Sequence, residues 1–353
     1  MLMPFLAGMM IVSWLMSASV GIAASAGEIL SRYKSLSGKD REMAFLEGAK
    51  KEGRVVLWGV LTAPDFQSMR TAFRKRYPAI DVEYYRSGPE RNVSKLLSEA
   101  KAGRHEVDLF QNTSVGTSVV MQRGFIDRYE SPQARFLKKG LFEPTGSWHA
   151  FHHLVVVLAY NTRLVSKTDV PRNYEDLLHP KWKGQMSLDT EDYDLLTGLE
   201  LAWGEEKAQS YLRKLAKQEL RVVRGRTHQT QLLAAGEYPI SVGLYLHRIA
   251  VLKSQGAPVD YVFLDPIISK PIPVTLMRQA PHPHGAALFL DWALSREGQD
   301  IVTRETGHFI ARNDVTDRFG KILPDDFIGI GPEVEGKRAE DRVRLFRQIM
   351  SSR

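Results

Sequence analysis

Residues 152–162, HHLVVVLAYNT, constrain this chain more than any other stretch. An apolar run over residues 154–158, β-branched in its middle, is lengthened by Ala159 and Tyr160 and stopped by Asn161 and Thr162. A run that short, without helical period and closed by a turn signal, predicts a strand buried on both faces. It lies near the middle of 353 residues, with one α/β pattern before it and another after it. The reading that follows is a strand shared by two lobes.

The first pattern opens with an amphipathic helix from Asp40, DREMAFLEGAKKEG, stopped by Gly53. A strand is predicted over residues 54–60. Thr62 then reads as an N-cap with Pro64 in the first turn and Asp65 as its capping partner, ahead of a helix carrying Phe66, Met69, Phe73 and Tyr77. Strands over residues 79–85 and 107–110 flank a helix from Pro89, and a helix of small residues follows Gln111-Asn112-Thr113. This βαβαβα order predicts a parallel sheet with helices on its faces. Beyond the central strand the pattern restarts. A short helix and turn is expected over residues 171–184. Strands are expected over 185–188, 220–223, 238–243 and 259–264, with helices between them, one of them capped by residues 189–191. Residues 265–273 read as extended and proline-rich, 274–277 as a strand, and 283–294, 296–305 and 338–350 as helices. The fold class expected is therefore α/β, with residues 27–153 plus 274–353 forming lobe 1 and residues 154–273 forming lobe 2 with the crossovers.

Composition narrows the functional classes. Lys+Arg number 48 against 41 Asp+Glu, a net charge of +7 that is scattered along the chain. That falls short of the concentrated basic stripe nucleic acid requires, and no aromatic–basic interleaving supplies one. Cysteine is absent, which excludes disulfides, thiol nucleophiles and Cys-based metal sites. The first 26 residues carry no charge, have an apolar stretch over residues 5–16, and end Ala24-Ser25-Ala26. They read as a signal peptide cleaved before Gly27, implying export to the periplasm.

Enzyme motifs fail. There is no G-x-S-x-G elbow, phosphate-binding loop, dinucleotide fingerprint or H-E-x-x-H. His149, His152 and His153 form a tempting cluster, but neighbours on a strand point to opposite faces, so at most one of His152 and His153 joins His149. His282 and His284 read as a solvent-exposed turn. Polar residues at the carboxyl ends of the expected strands are more informative, because open α/β sheets bind ligands there and helix N-termini supply N–H donors. They are Thr62, Ser87, Gln111, Asn112 and Thr113 in the first half, and Thr190, Thr227, His228 and Tyr245 in the second. Arg86, Arg224 and Arg226 are available to neutralise charge. Hydroxyls and amides without an acid–base pair fit recognition better than catalysis.

Three stretches resemble one family. Residues 274–302, VTLMRQAPHPHGAALFLDWALSREGQDIV, look like the strand-then-helix signature of extracellular solute-binding proteins of ABC importers, the group that includes ferric-ion, thiamine, polyamine and 2-aminoethylphosphonate transport. Residues 155–165, VVVLAYNTRLV, with 171–190, PRNYEDLLHPKWKGQMSLDT, are similar to its crossover and second lobe, and residues 232–266 are the third match. The resemblance implies a type II periplasmic-binding fold: two Rossmann-like lobes, two crossovers, and a cleft that closes on a small polar or anionic solute. It further implies delivery to a membrane permease, no enzymatic activity, no cofactor, no nucleic acid, and a monomer. Ligand contacts are expected from Thr62, Ser87, Asn112, Thr113, Thr190, Thr227 and Tyr245, with residues near His153 and Asn161 as hinges. Two alternatives stand beside this. The ferric-binding branch uses adjacent tyrosines; here residues 244–248 read LYLHR, so Tyr245 is the one phenol, with Leu244 in its neighbour's place and only Tyr84 or Tyr85 to compensate. An exported hydrolase with His228 or His247 as base is the other.

Overall fold

The computed structural model describes residues 24–320, 322–324, 326–336 and 338–351. Nearly all of the expected leader lies outside them. The first half contains α1 (Ala26–Ser31), α2 (Gly38–Glu52), β1 (Arg54–Gly59), α3 (Ala63–Arg76), β2 (Asp81–Arg86), α4 (Pro89–Lys101), β3 (Leu109–Gln111) and α5 (Ser114–Gln122). The long strand β4 (His149–Asn161) leads to β5 (Met186–Asp189), α6 (Tyr193–Trp203), α7 (Glu205–Ala216), β6 (Arg221–Val223), α8 (Arg226–Ala235), β7 (Ile240–Tyr245), α9 (Leu246–Ser254) and β8 (Val259–Val262). The chain returns through β9 (Ile268–Leu276) to α10 (Pro283–Ala293) and α11 (Arg296–Ile301), then β10 (Ile328–Gly329), α12 (Pro332–Gly336) and α13 (Ala339–Ser351).

The strands run β2-β1-β3-β9-β4-β7-β5-β6, with β10 on β9 and β8 on β4. β2, β1 and β3 are parallel, as are β7, β5 and β6, while β9 runs antiparallel to β3 and β4, and β4 antiparallel to β7 and β8. The sheet is therefore mixed, with two parallel sets joined by two antiparallel strands. Burial explains the opening strand: every residue of β4 except Leu154 is buried.

Its register explains its role. From His149 to Val155, β4 pairs with β9; from Val156 onward it pairs with β7 and then β8. The apolar core divides at the same place. One cluster runs through residues 26–151 and 274–311, and a second through 156–268 and 330–349. Both β4 and β9 cross between clusters, while Val155, Val157, Leu246 and Phe309 form a small separate cluster at the switch. Asn161, expected near a hinge, is buried in the second half, where its side chain donates to Leu233 O at 2.9 Å and accepts from Arg163 N at 2.9 Å.

The C-terminal helix also departs from expectation. Phe346 and Ile349 of α13 belong to the second cluster, packed with α6 and α7, because Arg342 is drawn to buried Glu200 at 3.0 Å. Two short 3₁₀ turns, Glu175–Leu178 and Pro180–Trp182, replace the expected helix at residues 171–184.

Candidate ligand cleft

Strand direction places the site. β9 runs antiparallel to β3, so the carboxyl end of β3 at Gln111, opposite Val274, points towards the β9 residues 269–270. β7 runs antiparallel to β4, with Tyr245 opposite Val156, so its carboxyl end points back towards the first half. The carboxyl ends of both parallel sets thus converge where β4 and β9 switch partners, where open α/β sheets bind ligands.

On the first side, the polar residues are knitted to each other. Thr62 caps α3, accepting from Asp65 N, and Thr113 caps α5, accepting from Gly116 N at 3.2 Å. Asn112 is fully buried, donating to Pro89 O at 3.1 Å and accepting from Thr113 N at 2.7 Å. Ser87 is buried at the end of β2, and its carbonyl, like that of Gly59, accepts from the Asn92 amide. A Cβ at Gly59 would stand 2.6 Å from Gln111 Oε1 and 2.8 Å from the Tyr84 hydroxyl, so a larger residue would force one of those side chains to move. Gln111 accepts from Val60 N at 3.0 Å, leaving its buried Nε2 without a partner.

The second side is built differently. None of α6, α8 and α9 has a side-chain cap, their N-cap residues being Asp192, Gly225 and Tyr245. Helix N-termini left without capping oxygens present unfilled N–H groups and the positive end of the helix dipole. Thr227 is exposed in the first turn of α8, and His228 beside it. Thr190 is half-buried, its N–H on Val223 O at 3.0 Å.

Behind these termini lies a charged network that residue patterns did not reveal. The Arg226 guanidinium bonds Asp192, donates to the Tyr245 hydroxyl at 2.6 Å and to Gly243 O at 2.8 Å, and stands 4.5 Å from the Tyr245 ring centroid. Lys270, on β9, pairs with Asp194, and its ammonium lies 6.0 Å from the rings of both Tyr193 and Tyr245. The side chains of Asp192 and Asp194 are 0% and 2% exposed, whereas those of Arg226 and Lys270 are 13% and 21% exposed. The carboxylates are thus buried and the cations partly exposed. Burial raises Asp192 to about 6 against the pull of Arg226, with Asp194 adding to the rise. Burial opposes the charge of Lys270, yet Asp194 and Tyr245 hold its pKa above that of an ordinary lysine. Glu335 of α12 is also raised by burial and by Asp194, to about 7.

Of the histidines, His282 and His284 are not an open turn. They clasp Asp108 and Glu52 at 2.9 and 2.7 Å, tying the start of α10 to the first half. His153 bonds Ser269 at 2.7 Å, while His152 turns away to pack on His308. The described residues contain no group of three or more His, Asp or Glu arranged to hold a metal ion.

Residues 104–320 match the family model described as a bacterial extracellular solute-binding protein. An uncharacterized protein of Haemophilus influenzae is 26% identical over 277 residues, covering 74% of this chain and 79% of its own length. Among solved structures, IdiA (FutA) from Trichodesmium with iron and citrate aligns at TM-score 0.74 and 19% identity, covering 84% of this chain and 99% of that one. Iron-bound HitA from Pseudomonas aeruginosa aligns at 0.70 and 17%, covering 84% and 99%. AfuA from Actinobacillus pleuropneumoniae with fructose-6-phosphate aligns at 0.66 and 21%, covering 86% and 100%.

Proposed function

Since the chain belongs to the bacterial extracellular solute-binding protein family, we propose that its cleft captures a small anionic solute. The protein is the solute-binding component of an ABC-type importer and hands its solute to a membrane permease. Capture by closure of the two halves, a periplasmic location and a monomeric state are the accompanying parts of this reading. The observation that carries the anion is the exposure of the charges at the second wall: Arg226 and Lys270 are partly exposed while the carboxylates they pair with are buried. Uncapped N-termini of α6, α8 and α9 add further donors for negative charge. Tyr245, Thr190 and Thr227 would line that wall; Ser87, Thr62, Asn112 and Thr113 would shape the opposite one, the last three chiefly through the helix ends and loops they fix.

Iron is the second reading, because IdiA and HitA are named with it. A ferric ion needs several anionic oxygen donors. Here the phenol of Tyr245 accepts from Arg226 at 2.6 Å and has Lys270 nearby, so a trivalent cation would meet two positive charges. A hydrolase using His247 is disfavoured as well, since burial, with His308 and Arg248, pushes that imidazole down to about 3.

The test is thermal stabilisation of the purified protein by inorganic phosphate, phosphonates, sugar phosphates, carboxylates and ferric citrate. An anion that raises the melting temperature without ferric ion, and is recovered unchanged, supports the reading. A tyrosinate–iron colour abolished by Tyr245→Phe would overturn it.

A further inference from the structure

We propose that His152, His247 and His308 form an acid-released latch between the two halves of the molecule, holding them together while the imidazoles are neutral and letting them part on protonation. The proposal rests on the reading that the halves open and close. His152 comes from the crossing strand β4, on the part paired with β9. His247 lies in the first turn of α9, in the second half. His308 follows a π-helical turn, Val302–Thr306, that packs against α3 in the first half. His247 of the second half thus meets His308 and His152 of the first ring to ring.

The rings form a ladder. His152 and His308 have centroids 4.3 Å apart, His308 and His247 are 4.9 Å apart, and Tyr245 stacks on His247 at 5.9 Å. It runs from the cation-lined wall, through Tyr245, to the strand that switches partners. The imidazoles pack face to face at tilts of 41° and 37° in a row rather than around a point, which suits packing and not metal ligation. His152 and His247 are 3% and 7% exposed, and the Nδ1 atom of each lacks a hydrogen-bond partner. His308 Nδ1 is bonded to Thr306 Oγ1 at 2.8 Å. The charged and titratable groups facing the ladder are Asp65 from α3, which favours a cation on His308, and Arg248 from α9, which opposes one on His308 and His247. His153 from β4 opposes one on His152.

Burial pushes His308 down to about 4, with Asp65 pulling it up and Arg248 pushing further down. Burial, aided by His308 and Arg248, takes His247 to about 3, and burial with the neighbouring histidines holds His152 well below its ordinary value. A hydrated imidazole titrates at about 6.5. Above that pH neither form binds protons and the latch is unaffected. As pH falls below it, the open form takes up protons that the closed form refuses until about 4, so acid favours opening. At pH 5.5 each imidazole hydrated by opening shifts the ratio about tenfold.

The chain has no cysteine, so nitroxide labels at Lys75→Cys and Lys217→Cys report the distance between halves without further substitution. Between pH 7.5 and 5.5 the longer-distance population is expected to rise at least tenfold relative to the shorter one. His308→Gln, at a half-buried site that tolerates an amide, should reduce that rise about tenfold, and His152→Gln and His247→Gln with it should abolish it. Near-ultraviolet circular dichroism at both pH values checks that each protein stays folded. Asp192, at about 6, titrates in the same range but is intact in every variant. An unchanged distance distribution, or a shift that survives whole in His308→Gln, overturns the latch. Opening by acid in a protein that binds none of the anions keeps the latch and removes the anion reading; anion binding without acid-driven opening does the reverse.

Discussion

Lys270 and Arg226 carry the same charge and share Asp194, yet their loss should act differently. Arg226 spends its donors inside the protein, on Asp192, Asp194, Tyr245 and Gly243, so Arg226→Met would strand buried Asp192 and leave Asp194 to Lys270 alone. Breaking such a network by one partner costs about 3–5 kcal/mol, and urea unfolding should register it. Lys270 makes one ion pair, with Asp194, and its side chain is 21% exposed. Lys270→Met is expected to weaken anion binding at least tenfold, about 1.4 kcal/mol, while unfolding with the wild-type midpoint to within about 1 kcal/mol, since Arg226 still serves Asp194. Calorimetric titration reads the first and urea the second; equal affinity in the variant would remove Lys270 from the site. Thr62 makes the converse case. It caps α3, so Thr62→Ala should cost about 1 kcal/mol of stability, and an affinity loss without a stability loss would make it a ligand contact instead. Thr62 was legible because a cap and its partner are three residues apart. Lys270 was not, being a lone cation in an apolar proline-rich stretch whose partner Asp194 lies 76 residues away.

At the scale of elements, local signals were sufficient wherever the element completes itself locally. α2, ended by Gly53 at φ 75°, and α3, with Pro64 in its first turn, follow from their own residues. β9 did not, because Pro271 and Pro273 argue against a central strand. The structure accommodates both. They lie opposite His153 and Ala150, whose N–H groups bond Phe309 and Leu141 instead, so neither proline faces a bond that β4 needs. The start of α1 carries a prediction of its own. Ser25 forms a capping box with Glu28, and Ala26 is 1% exposed with its N–H on Arg278 O at 2.8 Å. A protein beginning at Gly27, where the sequence expects cleavage, would lack both. It should be less stable than one beginning at Ala24 by about 1 kcal/mol or more for the cap alone, as compared by urea unfolding. Equal midpoints would mean that α1 frays at no cost.

Over the whole molecule, the halves are joined by more than the two crossing strands. After His308 the chain runs through β10, which pairs with β9, to α12, which packs on α5 and receives the Gln122 amide at Gly336 O, 2.5 Å away. α13 then leaves the first half and buries Phe346 and Ile349 among the apolar residues of the second. No periodicity announces this, because an amphipathic helix specifies an apolar face and not which of two cores receives it. The consequence is directional. Phe346 is 1% exposed, and its replacement by Ala should cost about 3–5 kcal/mol. That cost belongs first to the core it fills. Amide exchange should therefore quicken in α6 and α7, on which α13 packs, and in β5, while β1, β2 and β3 keep their wild-type rates so long as the halves open independently. Equal acceleration in both halves would mean that the strap and the crossing strands fuse them into one cooperative unit. Glu335, buried on α12 beside the Lys270–Asp194 pair, gives the same strap a hold on the cleft. Loosening it through Phe346→Ala is accordingly expected to lower anion affinity as well, in proportion to the fraction of molecules whose second half is open at the time of measurement.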